Sequence, residues 1–250
     1  LLYEPEHTNY DWRWKFFGVP VRVHPLFWIV SAIFGWDLIH AGLGFLILWM
    51  ACVFVSILIH EMGHIGMGLL FGSRGYVVLY SFGGLAVGSN NLSNRWQRMA
   101  VSLAGPGAEF ILFGLIWLLN LVVHFNESTR FARAFYDFMF WINLFWGFLN
   151  LLPIWPLDGG MVSRDLCRWL LPGGRGLRFS LGLSIAVAAL LAVNALSVWR
   201  LERALPILDQ VPYLNTLGDI YSVFFFGWLA VNSARALKVS GRAGKMTTNW

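Results

Sequence analysis

His60 and His64 stand four residues apart in the run SILIHEMGHIGMG, with Glu61 between them. On an α-helix, residues four apart project to the same side, one turn above the other, so both imidazoles can hold one zinc ion. Glu61 is then within reach of a water on that ion and can take its proton. This is the residue set of metal-dependent hydrolysis. The plain alternative is a pair of helix histidines bonded to backbone. Three adjacent ionisable groups in an apolar helix are too costly for that reading to be preferred.

A catalytic zinc uses three protein ligands and keeps one position open. Asp158 is the candidate for the third, in NLLPIWPLDGG at 150–160. Pro153 and Pro156 stop the preceding helix, and Gly159 and Gly160 let the backbone turn, so a short carboxylate can point back toward the histidines. His60 lies about 15 Å from the end of its apolar run at helical rise, and Asp158 follows the end of a later run on the same side. In a soluble protein the same Asp would be read as a turn-former. Cys52 and Cys167 are the only cysteines, too few for a cysteine cluster or a disulfide framework.

The elements that position these residues are apolar. Hydrophobic residues make up 58% of the 250 and charged residues 12%, about half the share of a soluble domain, which excludes a soluble enzyme with a polar coat as well as a disordered chain. Six candidate spans follow: Pro25 to Ile39, Leu43 to Leu70, Met99 to Phe125, Phe135 to Leu152, Leu177 to Trp199 and Tyr213 to Asn232. Between the second and third, YVVLYSFGGLAVG at 76–88 reads as a hairpin around a Gly-Gly pair. The small residues Gly63, Gly66, Gly68 and Ser81–Gly84 are expected to leave room for water. Of the 18 Lys and Arg, Arg130, Arg133, Arg200 and Arg203 fall on one side of this layout and the other fourteen on the side of both termini. The positive-inside rule therefore puts the termini in the cytoplasm, and the net charge of +5 reads as loop bias, with no nucleic-acid partner.

The expected fold is an all-α polytopic membrane protein of about six transmembrane helices with a small membrane-associated β-hairpin between helices two and three. Residues 1–250 form a single membrane-embedded domain with its core at about 43–160, a cytoplasmic segment at 1–24 and a basic cytoplasmic tail at 233–250. The chain opens on Leu, as expected of a piece trimmed from something longer.

HEMGH inside one span and NLLPIWPLDGG at the end of a later one resemble the site-2 protease family of intramembrane zinc metalloproteases. SLAGPGAEF at 102–110 is similar to that family's Gly-Pro element, and GVPVRVHPLFW at 18–28 to its compact branch, which includes the sporulation-factor proteases. The resemblance implies one zinc per chain on His60, His64 and Asp158, with Glu61 as general base. It implies that Asn150 helps hold substrate or the developing oxyanion, and that the hairpin around Gly83–Gly84 pairs with an unwound substrate. The implied reaction is hydrolysis of a peptide bond in or near a transmembrane segment of a membrane-protein substrate, in a bacterial or archaeal cytoplasmic membrane.

One residue departs from the family pattern. Where the family commonly has Asn three residues after the Gly-Pro pair, this chain has Glu109. Three readings stand open: a neutral carboxylic acid bonded to a neighbouring helix, a group orienting a zinc-ligating His, or a ligand competing with Asp158. Two other functions also stand open, a zinc-binding membrane transporter or sensor and a non-catalytic membrane scaffold. A transporter would spread its ligands along a path and often carry an inverted repeat, and neither pattern is visible here.

Overall fold

The computed structural model describes residues 4–81, 83–125, 129–172, 174–206, 208 and 219–246, with side chains to 240. It divides into two compact units, Leu2–Leu151 and Leu152–Trp250.

The first unit opens with strands where no regular element is expected. Trp12, Trp14 and Phe16 alternate with Arg13 and Lys15 in β1 (Trp12–Phe16). Val19, Val21 and Val23 alternate with Pro20 and Arg22 in β2 (Val19–Val23). Period two is the pattern of a strand with one buried face. Phe17 and Gly18 join them with φ of 47° and 80°, the two positive values that a tight hairpin turn needs. β2 then pairs in parallel with β3 (Tyr76–Tyr80), which pairs antiparallel with β4 (Gly83–Val87), giving one sheet in the order β1-β2-β3-β4. The all-α expectation is corrected to a helical protein with a four-stranded sheet. The Gly-Gly pair opens β4 instead of forming the turn. Phe82 lies outside the described residues.

Val21, Val23, Val77 and Leu79 pack with Phe27, Ile57 and Ile65 in the core under the sheet. Buried Arg22 fastens the residues ahead of β1: its guanidinium donates to Glu4 Oε1 at 2.8 Å, Asp11 Oδ2 at 3.1 Å and the Pro5 carbonyl at 3.0 Å.

The helix α1 (Pro25–Phe34) starts where His24 Nδ1 accepts from Leu26 N–H and Pro25 fixes the first helical φ. It stops at Gly35, ahead of a 3-10 turn at Trp36–His40. Ten residues rise about 15 Å, half of a hydrocarbon core, so the expected 25–39 span is a short helix and a turn. α2 (Leu43–Leu70), α3 (Arg95–Val123) and α4 (Arg130–Asn150) complete this unit. α2 and α3 approach closely, since a Cβ on Gly63 would overlap the Ala104 carbonyl.

The second unit contains α5 (Asp158–Leu170), α6 (Arg175–Leu201) and α7 (Ile220–Met246). α5 falls in a stretch expected to be a loop. Asp219, placed inside the sixth span by the sequence reading, sits just ahead of α7 and accepts from Ser222 N–H at 2.6 Å, as a capping residue does. Residues 213–218, the expected start of that span, and 247–250 of the expected tail lie outside the described residues.

Among the described residues four helices are long and apolar enough to cross a membrane: α2, α3, α6 and the Ile220–Ser240 part of α7. The chain is therefore a multi-pass membrane protein. α4, 21 residues long, carries Arg130, Arg133 and Asp137 in its first turns and is not among the four.

Candidate metal centre

His60, Glu61 and His64 sit in the second half of α2, all buried, with 5%, 5% and 7% of their surfaces exposed. The helix sets the two rings one turn apart, and α3 fixes how each is turned. His64 Nδ1 lies 2.7 Å from the Val101 carbonyl oxygen. A carbonyl can only accept, so the ring carries its proton on Nδ1 and leaves the Nε2 lone pair bare. His60 Nδ1 lies 3.0 Å from Glu109 Oε2, at ion-pair distance.

The two Nε2 atoms face each other 3.0 Å apart, close enough to share a proton or, once that proton is lost, to hold one metal ion. Imidazole nitrogens are ordinary zinc ligands, and two brought this close would be able to hold one ion. Space is kept for it by Gly105, where a Cβ would overlap His64 Nε2 and come within 2.7 Å of His60 Nε2. The pair therefore fits a metal ion.

Glu61 lies under the sheet. A Cβ on Gly84, the second residue of β4, would overlap the Glu61 carboxyl, so the general-base candidate is covered by strand backbone. Of the glycines expected to leave room for water, Gly66 and Gly83 face open space. Gly63 and Gly68 are instead closed by the backbone of Ala104 and Ser89. Asn150 is the last residue of α4 and half-buried. Fully buried Asn143, two turns earlier, donates to Ser56 Oγ at 3.0 Å and to the Met139 carbonyl at 2.6 Å, tying α4 to the turn of α2 just before His60.

In the second unit Asp158 is the first residue of α5 and half-buried. Gly160 has a packing reason beside it: a Cβ there would overlap the Ile154 carbonyl and come within 2.5 Å of Trp155 N. The helix start is thus pressed onto the proline-rich turn that precedes it.

The Val101 carbonyl and the clearance at Gly105 went unread in the sequence. The available signal was the four-residue spacing of Val101, Gly105 and Glu109, which puts all three on one face of α3.

Residues 122–193 match peptidase family M50. The chain is 33% identical over 193 residues to stage IV sporulation protein FB of Bacillus subtilis, an alignment covering 76% of this chain and 62% of that protein. It is 28% identical to a putative zinc metalloprotease of Synechocystis, over 64% of this chain and 44% of the relative. It is 27% identical to a zinc metalloprotease of Methanocaldococcus jannaschii, over 63% and 46%. The chain thus spans under two thirds of the length of these relatives. The solved structure of a site-2 protease from Methanocaldococcus jannaschii shares its fold, with a TM-score of 0.55 at 19% identity over 88% of this chain and 95% of the other. Residues 122–193 thus carry the match to peptidase family M50, the chain is similar to zinc metalloproteases over part of their length, and its fold is that of a solved site-2 protease.

Proposed function

We propose that the chain is an intramembrane zinc metalloprotease that hydrolyses a peptide bond in or near a transmembrane segment of a membrane-protein substrate. The observation that carries this reading is the pair of Nε2 atoms facing each other at 3.0 Å on a membrane helix, with Glu61 buried beside them.

One zinc per chain would be held by His60, His64 and Asp158. Asp158 supplies the negative charge that the neutral histidines lack, and the helix start after Pro156 leaves its carboxylate at the head of α5. When bound, the ion supplies Lewis acidity, polarising a carbonyl and acidifying water to a pKa of about 7. Glu61 takes the proton from the attacking water and returns it to the leaving amine, a role worth roughly 10²–10⁴ in rate. Asn150 donates through its amide to the developing oxyanion.

The substrate must lose helix, because helical carbonyls are already bonded and shielded. β4 is an edge strand beside Glu61. Tyr80 and Gly83 close the two-residue turn, so pairing alternates and Gly84 and Ala86 turn their backbone groups away from β3. An unwound substrate segment adding to that edge would recover its backbone bonds and lie against Glu61.

The reading includes a six-span layout, in which the 25–39 segment enters as helix and turn together and α4 is the remaining span, with both termini in the cytoplasm and the protein in a bacterial or archaeal cytoplasmic membrane. The loop bias of Lys and Arg supports that orientation.

The test is cleavage of reconstituted single-span reporter proteins whose spans carry helix-breaking residues. Wild type should cut within the span and stop when a zinc chelator is added, and Glu61→Gln should not cut. Cleavage that survives both would contradict the reading.

A further inference from the structure

We propose that Glu109 is the positioning residue of the metal centre, its carboxylate standing at ion-pair distance behind His60 Nδ1 and holding the ring orientation that aims Nε2 at the ion. The proposal rests on the metal-site reading above and concerns a residue for which the family pattern offers Asn.

Glu109 is fully buried on α3, with 0% of its surface exposed, and Oε2 lies 3.0 Å from His60 Nδ1. A buried carboxylate in an apolar helix is costly and persists where a partner repays it. The contact is on the ring nitrogen opposite to the one facing His64, so Glu109 stands behind His60, on the far side of the ring from the ion. That position separates a supporting role from a ligating one.

α3 carries the whole arrangement. Val101, Gly105 and Glu109 lie on one face at four-residue spacing, opposite His64 and His60 on α2. The Val101 carbonyl accepts from His64, Glu109 takes His60, and Gly105 between them leaves the gap. A metal-ligating His commonly donates its other N–H to a carbonyl or a carboxylate, and losing that partner costs 10–100-fold in affinity or activity. Here one histidine has the carbonyl and the other the carboxylate. The carboxylate would also offset part of the ion's charge in a medium with little water.

The experiment measures zinc affinity of the detergent-purified full chain, by competition with a chromophoric chelator at fixed pH. Wild type, Glu109→Gln, Glu109→Ala and Glu109→Leu are compared, with thermal unfolding as the check on folding and the visible spectrum of the cobalt-substituted protein as a second readout. Gln keeps an acceptor oxygen and Leu keeps volume without one. Expected are zinc affinities about 10–100-fold weaker in Ala and Leu, a loss of only a few-fold in Gln, and cobalt bands displaced in Ala and Leu but not in Gln. Wild-type affinity and spectrum in Leu would reduce Glu109 to a packing residue and overturn the proposal. Loss of stoichiometric zinc even at saturation in all three variants would make it a ligand and overturn it equally. Absence of metal from wild type itself would instead remove the metalloprotease reading, and the proposal with it.

Discussion

Glu109 Oε2 lies 3.0 Å from His60 Nδ1, joining a buried carboxylate on one membrane helix to a metal-binding histidine on the next. The contact accounts for a Glu at a position where charge would otherwise be destabilising. It also joins the two candidate catalytic features of α2, the ring that binds and the Glu61 that acts, to a helix that contributes no ligand of its own. The centre is thus built from α2 against an α3 template, and mutations on either helix should register in metal binding.

Glu61→Gln removes the base and keeps the shape. Zinc content should match wild type while peptide hydrolysis falls by roughly 10²–10⁴. Elemental analysis and a cleavage assay on one preparation check this. Loss of zinc together with activity would show that Glu61 ligates instead.

Asp158→Ala should lower zinc content to near that of a His64→Ala control, with α-helical circular dichroism unchanged. Full zinc retention would move the third ligand elsewhere in the chain.

Gly105→Ala should cost zinc binding, because the added methyl occupies the space between the two Nε2 atoms. Gly107→Ala, two residues on in the same helix, meets open space and should bind zinc as wild type does. Equal zinc in both variants would refute the clearance argument.

The N-terminal segment should be acid-labile. Burial acts to raise the Asp11 carboxyl, but hydrogen bonds from the Thr8 hydroxyl and N–H, and from Arg22 and Arg13, hold it well below the ordinary carboxylate range. A depressed folded value means stability that is present above the unfolded pKa of about 3.9 and lost as pH falls through the folded one. Amide hydrogen exchange over residues 4–23 should therefore speed up below about pH 4 relative to the transmembrane helices. Asp11→Asn should expose the segment at neutral pH and flatten the dependence.

Ala86→Pro removes an N–H that points away from β3 and leaves the ladder bonds of the sheet in place. If substrate adds to that edge, turnover of a membrane substrate should drop, mainly through a higher KM, with zinc content intact. Unchanged turnover would remove strand addition from the account.

The parts of this architecture legible in the sequence are those set by a local pattern. The apolar runs gave α2, α3 and α6, and the four-residue spacing gave the two imidazoles of His60 and His64 facing each other. The strands at Trp12–Phe16 and Val19–Val23 carry an equally local alternation, but Arg13, Lys15 and Arg22 make the segment read as a charged tail. In the structure Arg22 is buried and paired instead. α5 was hidden because Gly159 and Gly160 disfavour a helix in isolation, yet Gly160 is needed for close packing on Ile154. The partner of Glu109 was beyond any local pattern. It depends on the register between α2 and α3, which is set by the contact of Gly63 on Ala104 and by packing throughout both helices.

Zinc content per chain of detergent-purified protein, prepared without chelators and measured for wild type beside the His60→Ala, His64→Ala double variant, decides whether His60 and His64 hold a metal. About one zinc per chain in wild type and none in the variant is the predicted result. Wild type with no zinc, or a double variant that keeps it, would contradict the account.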